Sequence, residues 1–131
     1  MLVALAIAVQ LTDAQMSWWK EVDASGWVYA SNTTDGTEVV FWQMPPGKQS
    51  SGKIKVWMRN EFRDPRDPGY LSERTLAVFD CDAAAATAVS NEIFRKHNLT
   101  DSIGHAESLS TPLQIPPSSA ISFVFKAVCQ K

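Results

Sequence analysis

Cysteine is scarce in this chain. Only Cys81 and Cys129 occur among 131 residues, and their spacing forms no CxxC pair, which gives no support to a dithiol redox centre or a zinc knuckle. Glycine is sparse as well, with six residues and no cluster, so a glycine-rich loop that cradles phosphate is excluded. A basic excess is missing: 12 Lys and Arg face 14 Asp and Glu, unlike the charge profile of a dedicated nucleic-acid binder. The longest apolar run, Leu2 to Val9, is far shorter than the roughly 20 residues that span a bilayer as a helix. No GxSxG elbow accompanies the serines. The two histidines, His97 and His105, lie eight residues apart with Asp101 between them and Glu107 beyond. That spacing offers no helical i, i+4 pair and too few converging ligands for a metal. They read as solvated turn residues, or as a pair brought together across a hairpin about Leu99 to Gly104. No cofactor is implied.

What is present describes a globular domain. Apolar residues make up 45% and charged residues 20%, too apolar for a disordered chain, and the length suits one domain with one core. Five tryptophans supply large apolar area to that core and to a contact surface. The opening "MLVALAIAVQLTDA" resembles a secretory signal: an apolar run, then Thr12 and Ala14 as small residues before a cleavage at Gln15. No Lys or Arg precedes the run, and a buried N-terminal strand is the other reading. The expected organisation is a signal over residues 1–14 and one domain over 15–131. No cysteine adjoins the cleavage point, which argues against a lipid anchor there. In an exported chain, two cysteines are most simply one disulfide, and closing the 48-residue separation is worth about 4 kcal/mol in the chain-entropy description. Two buried free thiols in a cytosolic protein are the alternative.

Along the chain, Trp27 to Asn32 alternates like a strand, Asp35-Gly36 marks a hairpin turn, and Glu38 to Met44 follows as an apolar strand. Pro45 to Gly52 is a loop by composition. In "KIKVWMRNEF" the period is two: Ile54, Val56, Met58 and Phe62 face one way, Lys53, Lys55, Arg59 and Glu61 the other. "RDPRDPGYLS" reads as a second loop, Arg74 to Cys81 as the next strand, and "DAAAATA" as a connection into a strand from Thr87 to Lys96. A turn at Asn98 and a strand from Ile103 to Leu109 follow. After Pro116-Pro117 the period changes. Ser118 can cap a helix whose apolar residues, Ile121, Val124, Phe125, Val128 and Cys129, lie on one face. Cys129 then meets the sheet where the strand carrying Cys81 ends.

Four residues on one face of "KIKVWMRNEF" form the candidate contact surface: Trp57 set among Lys53, Lys55 and Arg59. They suit an acidic protein or another polyanion, with cation–π contacts contributing. The competing reading packs Trp57 under a helix or a loop. Asp80 and Asp82 flank Cys81 on one strand face without any catalytic signature, and no catalysis is inferred. Asn32 and Asn98 head two glycosylation sequons.

The order of these pieces resembles the surface-adhesin protein E family, a group of small exported bacterial proteins. A tryptophan near the mature start (Trp18 or Trp19), the strand "KIKVWMRNEF", the cysteine strand "LAVFDCD" and the ending "IPPSSAISFVFKAVC" carry the likeness. The resemblance implies an α+β fold: an antiparallel sheet of about six strands, packed by a C-terminal helix and tied to it by the disulfide Cys81–Cys129. It also implies an exported protein of periplasm, cell surface or medium that binds host or envelope proteins, forms no stable membrane span and is compatible with a homodimer. The chain departs from the named adhesin in lacking its positively charged, lipid-anchored leader, and no host-binding segment transfers residue by residue. The alternative function is a small-ligand carrier with an aromatic cleft between sheet and helix.

Overall fold

The structure, a computed structural model, describes residues 11–45, 52–107 and 111–129. Most of the expected signal, residues 1–10, lies outside them.

Among the described residues, seven antiparallel strands make a single sheet: β1 (Val28–Asn32), β2 (Glu38–Gln43), β3 (Lys53–Arg66), β4 (Tyr70–Asp80), β5 (Ala85–Lys96), β6 (Thr100–Glu107) and β7 (Leu113–Gln114). The first six follow one another in chain order, and β7 pairs with the opening residues of β5. Short turns impose this meander. Gly36, at φ +75°, closes the β1–β2 hairpin as the Asp35-Gly36 signal requires. Asn98 and Leu99 both take positive φ between β5 and β6. The second loop is shorter than expected from its composition. β3 continues past Phe62 to Arg66 and β4 starts at Tyr70, with a register irregularity between Glu61 and Arg66 that lets the strand carry Pro65. The last strand candidate begins earlier than expected, at Thr100, and its expected end at Leu109 lies outside the described residues.

Helix α1 (Asp13–Met16) opens with a capping box between Thr12 and Gln15 and runs into a 3₁₀ turn (Ser17–Glu21). Helix α2 (Ala120–Cys129) closes the fold. Its cap is Ser119 rather than Ser118. The Ser119 hydroxyl accepts from the Ser122 amide at 3.2 Å, whereas Ser118 sits outside at φ +60°.

The sheet has a different cover on each face. On one, Val124 and Val128 of α2 press onto Val40, Val56, Met58, Phe79 and Ala86, as the apolar stripe of the helix dictates. The Cys81–Cys129 bond, with Cα atoms 5.5 Å apart, ties the end of that helix to the end of β4. On the far face, Trp18 packs on Val39 and Phe41, with Trp19, Val22 and Trp27 around it. Helix α2 lies over Val40, Val56 and Phe79, and the N-terminal segment lies over Val39 and Phe41. No helix among the described residues is long and apolar enough to cross a membrane.

Candidate binding surface

Alternation along β3 puts Lys53, Lys55, Trp57, Arg59 and Glu61 on the far face, and cross-strand pairing brings Asp80, Val78, Leu76, Arg74 and Ser72 opposite them in turn. The half of this face that lies beyond the N-terminal cover carries Lys53, Lys55 and Trp57. No helix or strand among the described residues packs over it. Trp57, Leu76 and Val78 are half-buried there and Lys55 is exposed. The Arg74 guanidinium lies 4.8 Å from the Trp57 ring centre and pairs with Glu92 at 3.1 Å. Hydrogen bonds from Ser102 and Arg74 hold the Glu92 carboxyl below its ordinary range. Lys53 pairs with Asp80 at 3.0 Å. The result is an apolar strip through Trp57, Leu76 and Val78, edged by charges of both signs.

Arg59 does not belong to that strip. Only 2% of it is exposed, and Glu61, expected on the same solvated face, is 0% exposed. The N-terminal segment covers both. The Arg59 guanidinium lies within 5.4 Å of the Trp27 and Phe41 ring centres and donates to Glu61 at 2.7 Å. Glu61 Oε2 also accepts the Asn98 amide at 3.0 Å, and Oε1 meets His97 Nδ1 at the same distance. Asn98 links this network to the cover: its Oδ1 accepts from Arg59 at 3.0 Å and from the Asp23 amide at 2.7 Å, and its Nδ2 donates to the Glu21 carbonyl. Trp18 stacks on His97 with ring centres 5.5 Å apart. Each buried charge is thus paired and hydrogen-bonded, the condition under which burial is tolerated. Sequence alternation gave these residues their face correctly but held no signal of what covers it.

His97 is therefore a packed residue, while His105 lies out on β6 beside Glu107 at 3.1 Å. The strand register sets His105 opposite Glu92, well along the hairpin from the turn that holds His97, so the two do not meet. Among the described residues no group of three or more His, Cys, Asp or Glu could hold a metal.

On the helix side, a groove of about 360 Å³ lies over β3, β4 and β5, edged by β7 and the segment that leads into α2 and walled by the start of α2. Alanines 77, 86 and 88 form its floor, Ile115 and Ile121 its wall, and Asn60 and Thr75 its polar end. None of its lining residues is aromatic, so the cleft between sheet and helix is not the aromatic one anticipated. Three of the tryptophans have gone to the N-terminal cover instead.

The family model described as surface-adhesin protein E matches residues 27–130. No curated protein and no solved structure matches the chain. The matched region takes in every strand from β1 onward, helix α2 and both cysteines. It starts after Trp18 and Trp19, so the first of the four features that carried the resemblance lies outside it, along with most of the far-face cover. With most of its length matched, the chain belongs to the surface-adhesin protein E family.

Proposed function

We propose that the protein is an exported, non-catalytic binding protein that engages a host or envelope protein through the bare half of its far sheet face. Family membership and the disulfide support an exported or surface location. The observation that carries the docking reading is the half-buried Trp57–Leu76–Val78 strip, which no described element covers and which Lys53, Lys55 and Arg74 border. A large aromatic ringed by long side chains that exclude water is the usual form of an interface anchor. Bordering charges of both signs favour a polar protein surface over a uniform polyanion. Arg59 takes no part.

The test is capture of host-cell surface proteins and of envelope extract on the immobilised protein, followed by measurement with the captured partner. Trp57→Ala is expected to weaken that partner by about 2 kcal/mol or more, roughly 30-fold. Lys53→Glu with Lys55→Glu is expected to slow association with little change in melting temperature. A partner that binds both variants as tightly as the parent overturns the assignment of this face.

A further inference from the structure

The groove beside α2 lies on the opposite face of β3 from Trp57, so what it does is independent of the docking strip. Its depth has a plain origin. Ala77, Ala86 and Ala88 present methyl groups where strand residues facing a helix usually carry larger side chains, and β7, paired beside the start of β5, edges the groove. The volume would hold about a dozen waters at about 30 Å³ each. That falls within the range of small-molecule sites, and the lining is apolar as such sites usually are.

The polar end gives the groove a chemical preference. Asn60, which lines it, donates a hydrogen bond to Glu38 and stands directly opposite Glu73 across the β3–β4 pair, so Glu73 shares its face. Asn91 donates to the hydroxyl of Thr75, also in the lining, at 2.9 Å and to Glu73 at 3.3 Å. Two carboxylates therefore adjoin one end of an apolar channel, and among the described residues neither forms an ion pair. Burial, with some repulsion from Glu38, raises the Glu73 carboxyl above its ordinary range. The amides of Asn60 and Asn91 supply hydrogen bonds without charge, and the positive charge of Arg66 offsets the pair only in part.

We propose that this groove binds a small primary amine with an aliphatic chain, the chain lying over Ala77, Ala86 and Ala88 and the ammonium at the Asn60–Glu73–Glu38 end. The argument is complementarity: an apolar channel matches the chain, and a half-buried anion pair that Arg66 offsets only in part matches the cation.

Amide chemical shifts of the full, isotope-labelled chain can be followed at pH 7.5 during titration with hexylammonium, hexanol and hexanoate. Hexylammonium is expected to shift Ala77, Ala86 and Ile121 with a midpoint about tenfold below that of hexanol, the worth of one charge-assisted hydrogen bond, and hexanoate to bind least. Glu73→Gln keeps the side-chain shape and the Asn91 contact, and should bring hexylammonium to the hexanol midpoint. Ala88→Leu should abolish the groove shifts for both. The proposal is overturned if amine and alcohol bind alike, if the preference survives Glu73→Gln, or if the amine shifts only exposed carboxylates such as Asp82 and Glu107.

Discussion

Arg59 and Glu61 belong to the same run of alternating residues as Lys53 and Lys55, yet they have the opposite relation to solvent. Periodicity reports the face of a strand, and a charge on that face ordinarily marks it as wet. Here the pairing of Arg59 with Glu61, together with the Asn98 amide and the His97 ring, satisfies the charges well enough for the N-terminal cover to bury them. His97 and Asn98 lie 36 to 39 residues from the charges they satisfy, beyond any local pattern. Glu73 is the contrasting case, a half-buried carboxylate with a hydrogen bond from Asn91 but no ion pair among the described residues. Its folded-state pKa is raised, chiefly by burial. The folded protein therefore holds this proton more tightly than the unfolded chain does. The resulting penalty is absent below the ordinary glutamate pKa, grows as pH rises through the shifted value, and is complete above it. Glu73→Gln should accordingly match the parent in stability near pH 4 and exceed it at pH 7, as read from urea unfolding at each pH. A gap that stays constant with pH would mean that ionisation of Glu73 costs the fold nothing.

Among the elements, helix α2 and strands β1, β3 and β5 were legible from their periods, and β2 and β4 as apolar runs between turn signals. The helix stripe from Ile121 to Cys129 is the stripe that packs, and the two cysteines meet where the end of β4 and the end of α2 place them. Boundaries were less legible. β3 runs four residues past Phe62, because its irregularity accommodates a proline that composition alone reads as loop. The helix starts from Ser119 because Ser118 turns left-handed. The segment from Thr12 to Trp27 gave no sign of covering the sheet, since Trp18 and Trp19 follow neither period and its docking depends on Asn98 and Gly36, both distant in sequence. The disulfide is the element-scale bond whose removal is simplest to read. Cys129→Ser should lower stability by about 4 kcal/mol, given the 48-residue separation. An unchanged melting temperature would show that the apolar stripe docks α2 unaided.

At the scale of the molecule, one sheet is covered on each face by a different segment, and each face carries one of the two proposed sites. The family pattern made the sheet, the helix and their bond readable together, but it begins at residue 27 and so leaves out most of the second cover. Two separate covers make a claim about energetics. The helix cover is held by Val124, Val128 and the disulfide, and the N-terminal cover by Trp18, Asn98 and the Arg59–Glu61 pair, with no residue shared between the two hydrophobic clusters. Trp18→Phe removes the indole hydrogen bond to the Gly36 carbonyl and thins the stack on His97, at an expected cost of about 1 to 2 kcal/mol. Because the perturbed groups share no partner, combining Trp18→Phe with Cys129→Ser should give the sum of the single effects to within about 0.5 kcal/mol in urea unfolding. A double variant that departs from additivity by more than about 1 kcal/mol would mean that strain passes through the pleat from one cover to the other. The strip at Trp57 and the groove at Ala86 would then be coupled sites rather than separate ones.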